Sequence, residues 1–131
     1  MDILRTARGS GDWRTIKQEN PDSGVRTSTF TYFISDTVGI LLGAAGDTIA
    51  NGEEGVYFYH AEKIMIRKKV GAGELFAVGD DIFLDPADML VSPTCESGRL
   101  KIGICVRVAG VNAVRVMIDL KGEYALDCLL F

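Results

Sequence analysis

The clearest period in the chain runs from Leu100 to Leu120. Leu100, Ile102, Ile104, Val106 and Val108 alternate with Arg99, Lys101, Gly103, Cys105 and Arg107. After a turn signal at Gly110 to Asn112, Val114, Val116, Ile118 and Leu120 alternate with Arg115, Met117, Asp119 and Lys121. Successive side chains of a strand point to opposite faces, so this pattern predicts two antiparallel strands with one buried and one solvated face. The core expected from it holds Ile102, Ile104, Val106, Val114, Val116 and Ile118, with Arg107 and Arg115 outside.

Upstream, strand character begins at Val25, where Thr27 to Ile34 supply the β-branched and aromatic residues that suit a pleated surface. Ser35-Asp36 marks a turn, a short strand follows at Val38 to Leu42, and the loop Gly43 to Asp47 ends it. Asn51-Gly52 signals another turn before Val56. Phe58, Ile64 and Ile66 share one parity while His60 and Glu62 interrupt that face, so the long strand predicted there bends or breaks near Ala61. Helix is confined to a turn near Pro86 to Met89, too short to be stable unless packed. The fold class expected is all-β: a small, mostly antiparallel β-barrel or sandwich over residues 25–122.

The flanks differ from this domain. Residues 1–24 are polar, carry Gly9, Gly11, Pro21 and Gly24, and have no sustained period, so they are expected to form an extended N-terminal arm. Within the arm, Ile3, Leu4, Trp13 and Ile16 are the side chains able to fill pockets on a partner; for Trp13, folding back onto its own domain is an equal alternative. Residues 123–131 form an apolar C-terminal tail. Its Leu126, Leu129, Leu130 and Phe131 are expected to be covered, in the protomer's own core or at an oligomer interface.

With 131 residues and 47% hydrophobic content, the chain has enough apolar material for one domain with a core. A net charge of -4 with interspersed signs, and a balanced arm, give no field to gather phosphates, so nucleic acid is not expected as a partner. The longest apolar run, Val38 to Ala45, falls far short of a membrane span. Cys95, Cys105 and Cys128 are odd in number and widely spaced, and the N-terminus lacks the pattern of a secretory signal, which points to synthesis in a reducing cytoplasm.

Catalytic chemistry is hard to assemble. His60 is the single histidine, so any triad or multi-histidine metal site would have to be built around it. The cysteines form no CxxC pair. Asp80, Asp81, Asp85 and Asp88 miss the spacing of a twelve-residue calcium loop and read as the acidic ends of a strand and its turn. The glycines at Gly43 and Gly71 lack the Lys-Ser/Thr of a P-loop. No enzyme, metal or cofactor is expected.

Four segments in order carry a resemblance. AGDTIANGEEGVYFY is followed by the Gly-Asp, apolar-aromatic-apolar, Asp strand of Gly79 to Asp85, then by Ile102-Gly103 and by Val114-Arg115-Val116. Over about Thr31 to Gly122 this resembles the capsid decoration (head-stabilising, cement) proteins of tailed bacteriophages. The resemblance implies a non-enzymatic protein, made in the host cytoplasm, that binds the outside of an expanded phage head as a homotrimer. It would clamp neighbouring major capsid subunits there, with its arm adding contacts. The chain departs from the common pattern in its longer polar arm and in the tail from Tyr124 to Phe131, which bears on the oligomeric state. Two other classes stay open. An intracellular β-barrel binding module for a peptide or small molecule would need a concave pocket with convergent polar groups. An enzyme would need Cys105, His60 or the Asp80 group to meet in one cleft.

Overall fold

The computed structural model describes residues 13–36, 39–122 and 126–130. Its regular structure is nearly all strand: β1 (Arg14–Glu19), β2 (Thr31–Asp36), β3 (Gly39–Ala45), β4 (Glu54–Arg67), β5 (Asp81–Asp85), β6 (Leu90–Ser92), β7 (Leu100–Cys105), β8 (Arg115–Lys121) and β9 (Leu126–Asp127), followed by a 3-10 turn at Cys128–Leu130. The strands pair antiparallel in the order β2-β3-β4-β8-β7-β5-β6, with β1 on β4 and β9 on β7. One parallel bridge returns the path to its middle. Lys68, just after β4, bridges to Val91 of β6, and the Lys69 amide donates to the Val91 carbonyl at 2.9 Å. β4, β8, β7, β5 and β6 therefore make a nearly closed barrel, as the all-β reading expected.

The long strand β4 organises the molecule. Its register against β8 slips between Ala61 and Ile64, and Lys63 there adopts a positive φ of 55°, its amide donating to Asp119 Oδ1 at 3.0 Å. Extra residues in one strand bend it and sharpen its twist. The bend expected near Ala61 is found there, and it lets the two halves of β4 serve two layers. Glu54 to His60 pair with β1, Tyr57 and Phe58 with β3, and Ile64 to Arg67 with β8. One core fills the barrel with Phe58, Ile64, Ile66, Phe76, Ile82, Leu84, Val91, Ile102, Val116 and Ile118 among others. A smaller one, of Ile34, Ala45, Ile49 and Tyr57, lies under β1, β2 and β3.

The alternation holds on β8, where Val116, Ile118 and Leu120 are buried, and fails on β7. Between β5 and β7 the partner of Ile82 is Gly103 and that of Phe83 is Lys101, so Ile102 is a residue in excess. A one-residue insertion swaps the faces beyond it. Ile104 is consequently 42% exposed, and Cys105, expected outside, is 1% exposed. Val114, just before β8, is also exposed and Val106 is half-buried, which corrects the single-face reading of all three. Arg107 is exposed and Arg115 half-buried. Gly103 permits the swap, because a Cβ there would collide with the Asp119 carbonyl oxygen of β8.

Boundaries moved elsewhere for local reasons. The segment from Val25 to Phe30 is a loop that touches the sheet through an Arg26 to Ile49 bridge, and β2 starts only at Thr31. β2 continues through Ser35-Asp36, where a turn was expected, and β3 continues through Gly43 to Ala45. Val38, the expected start of that strand, lies outside the described residues. Cys95 and Cys128 form a disulfide with Cα atoms 5.6 Å apart, a pairing that the wide spacing did not suggest, and Cys105 stays free.

Candidate functional site

Two of the four anchor candidates, Trp13 and Ile16, lie in the described part of the N-terminal segment. β1 lies along the first half of β4 with Ile16 opposite Tyr57. Ile16 is half-buried against the smaller core, and Trp13 meets the Phe58 ring edge-on, with centroids 5.4 Å apart. Ile3 and Leu4 lie outside the described residues. The chain after β1 is fixed by polar groups. Asn20, fully buried, donates from Nδ2 to the carbonyls of Gly24 at 3.0 Å and Ile49 at 2.8 Å. Arg26 pairs with Asp22 at 2.8 Å, donates to the Tyr57 hydroxyl at 3.1 Å and lies over the Tyr32 ring. Burial works against the Arg26 charge, but the bonds to Asp22 and Tyr57 outweigh it. Gln18, Glu19, Pro21, Arg26 and Phe33 line an open depression of about 320 Å³ beside this segment.

At the other end of the chain, β9 pairs with the start of β7, Leu100 opposite Asp127 and Lys101 opposite Leu126. The side chains of Leu126 and Leu129 stand 51% and 63% exposed, so within the protomer neither is in the core. The Leu130 side chain and Phe131 lie outside the described residues.

A further apolar surface was not apparent in the sequence. The connection from β4 to β5 and the one from β7 to β8 run alongside each other. Phe76 and Ala109 form an antiparallel bridge, and the Gly71 amide donates to Val111 at 2.8 Å. Val70, Leu75 and Val78 from the first, with Val108, Val111 and Val114 from the second, all remain exposed. Beneath them Lys68, 2% exposed, donates from Nζ to the Gly110 carbonyl at 3.1 Å and the Ala113 carbonyl at 2.9 Å, over the Phe76 ring. Burial lowers the pKa of this amine. A buried amine so bonded holds the loop carbonyls in place. Val108 and Val114 had looked like strand core only because their parity continued that of the strands.

The groups considered for catalysis are dispersed to local tasks. Cys105 faces the barrel interior, where burial pushes its thiol pKa up, and the thiol donates to the Arg107 carbonyl. Its backbone amide bonds to Asp80, but His60 pairs with Lys121, three places along β8 from Ile118, the residue opposite Cys105. Asp80 accepts the Ala77 amide, Asp81 pairs with Lys101 at 3.1 Å, and Asp88 accepts the Leu90 amide. Among the described residues no three acidic, cysteine or histidine side chains converge on a point where a metal ion could sit.

Asp85 anchors a charged cluster on the barrel wall. It accepts the Ala87 amide at 3.0 Å and pairs with Lys69 at 3.0 Å and Arg99 at 3.6 Å; Lys69 also reaches Asp88. The Ala87 amide first, then Lys69, hold the Asp85 carboxyl below its ordinary range. A carboxylate with a depressed folded pKa contributes stability above its unfolded value, about 3.9, and loses it as pH falls through the folded value. Asp85→Asn is therefore expected to be less stable than the parent by about 1 kcal/mol at neutral pH, since partial exposure screens the pairs. The difference should shrink as pH falls from neutral through the range where the folded carboxyl takes up its proton. Thermal melts of both proteins across that range check it, and a gap independent of pH would contradict the assignment.

No family model and no curated protein matches the sequence. A solved structure does match the fold: the N base of the head fiber gp8.5 in bacteriophage phi29, with a TM-score of 0.50 and 12% identity, over 83% of this chain and 94% of that one. The two share an architecture. At that identity the likeness concerns the path of the backbone and carries no residue of the surfaces above from one protein to the other.

Proposed function

We propose that this chain is a non-enzymatic structural protein of a phage virion that binds the outside of the head as a decoration, or cement, protein and clamps neighbouring major capsid subunits. The observation that carries the reading is the fold shared with a phage head fiber base across most of both chains. The order of segments from Thr31 to Gly122 resembles that of proteins from the same class of particle. Presentation of apolar groups supports it physically: Leu126 on β9, Leu129 in the 3-10 turn after it, and the valines of the paired loops protrude from the barrel. Exposed apolar surface of this kind marks a place where another protein sits. The occupants in this proposal are a second and third copy of the chain at the tail, forming a trimer, and the major capsid protein at the head surface. Neither a cofactor, a nucleic acid nor a membrane takes part.

Co-sedimentation of the purified chain with empty heads, built from the capsid protein of the same phage genome, tests the reading. Saturable binding to expanded heads, with heads that then survive heating or chelation better than bare ones, is the expected result. Absence of binding to both expanded and unexpanded heads would refute it.

A further inference from the structure

We propose that the Cys95–Cys128 disulfide is a thiol-reversible clasp that decides whether the C-terminal segment is held on the edge of the barrel. Among the described residues little else holds that segment. β9 has two residues and pairs only with Leu100 and Lys101 of β7, and the Cys128 amide adds one bond to the Arg99 carbonyl at 2.8 Å. Leu126 and Leu129 are more than half exposed, so their burial contributes little, and among the described residues there Cys128 is the buried one. A strand of two residues with no buried apolar face opens readily unless it is tied.

The other end of the bridge is firm. Cys95 sits in the loop between β6 and β7, and Arg99, 7% exposed, braces that loop by donating to the Thr94 carbonyl at 2.8 Å and pairing with Glu96 at 3.3 Å and Asp85 at 3.6 Å. Breaking the bridge therefore frees the tail and leaves the loop in place. Cys95 is exposed and Cys128 buried, which sets the direction of attack. A small-molecule thiolate attacks Sγ of Cys95, forms a mixed disulfide there and expels the Cys128 thiolate, which takes up a proton. A second thiolate attacks the outer sulfur of the mixed disulfide and releases Cys95 as a thiol. Two thiols become one disulfide, and the protein bridge gains two electrons and two protons. Cys105 is enclosed in the barrel core, so it does not compete in the exchange.

Any effect on head binding rests on the proposed role of Leu126 and Leu129 as interface residues; the clasp itself does not. Hydrogen exchange read by mass spectrometry on the full chain, air-oxidised and then treated with excess dithiothreitol, separates the two. Amides from Asp127 to Leu129 are expected to exchange about a hundredfold faster after reduction, while those of β4 and β8 keep their rates. Cys128→Ser should show the fast rate with or without reductant. Native alkylation of the oxidised protein should spare Cys95 and Cys128. Alkylation of both would mean that no bridge forms, unchanged rates at the tail would mean that other contacts hold it, and faster exchange in β4 and β8 would mean that the bridge staples the whole barrel; each result overturns the proposal. Failure of the chain to bind heads would leave the exchange result standing.

Discussion

Gly103→Val is expected to leave no folded chain at room temperature. Gly103 lies at the slip in register between β5 and β7 and pairs with Leu120 of β8 on its other side. A Cβ built there collides with the Asp119 carbonyl oxygen and comes within 3.4 Å of the Leu120 Cα, all of it backbone. Backbone cannot rotate aside as a flexible side chain can, so the substitution must push β7 from β8 and open the ring of strands. Loss of that pairing, with the core side chains it covers, is expected to remove cohesion on the scale of the whole stability of such a domain, about 5 kcal/mol or more. Circular dichroism and size exclusion should show an unfolded or aggregated chain. Gly24→Ala, which meets no atom within 4 Å, is the matched control and should melt with the parent. A folded Gly103→Val melting near the parent would show that the strands separate there cheaply.

The second large effect concerns binding. Leu126→Asp combined with Leu129→Asp should change the melting temperature of the isolated protomer little, because both residues are more than half exposed. If the tail is the contact between copies on the head, two central apolar contacts worth about 2 kcal/mol each disappear. Charge is placed where water would be excluded, and the apparent affinity for expanded heads should drop about a thousandfold at room temperature. Titrated co-sedimentation measures the drop, and analytical ultracentrifugation of the free protein measures self-association. A change in affinity below about threefold would remove the tail from the interface and leave the paired loops as the adhesive surface.

Much of the architecture could be read from local pattern. Val116, Ile118 and Leu120 signal a half-buried strand because the extra residue at the slip against β8 lies in β4 and leaves the alternation of β8 intact, and the polar break at His60 and Glu62 marks the bend in β4 because a bulge needs residues that tolerate leaving the ladder. The exceptions arise where a distant element decides. Ile104 and Cys105 exchange faces through a slip against β5, about twenty residues earlier, and no period within β7 records it. Lys68 looks like one of two solvated lysines, yet only Lys68 meets the turn at Gly110 and Ala113 and is drawn inside. Cys95 and Cys128 come together only because β9 returns to β7. β1 was hidden in a segment with too few apolar residues to show a period; its place follows from the unpaired edge that the first half of β4 presents. The surfaces considered for binding were partly legible, in Leu126 and Leu129, while the valines of the paired loops were absorbed into the strands that flank them.

The position of β4 also sets when the molecule can take shape. This strand ends at Arg67, its partner β8 begins at Arg115, and the whole of β5, β6 and β7 must be made in between. The small layer of β1, β2, β3 and the first half of β4 has all its strands early in synthesis. The second half of β4 carries Ile64 and Ile66, and the edge on which they pair stays open until β8 arrives. Contacts this far apart in the chain form slowly, because a long loop must close before any burial rewards it. During that interval this edge of β4 is open to other chains, and a nascent chain halted before Arg115 lacks the strand that closes it.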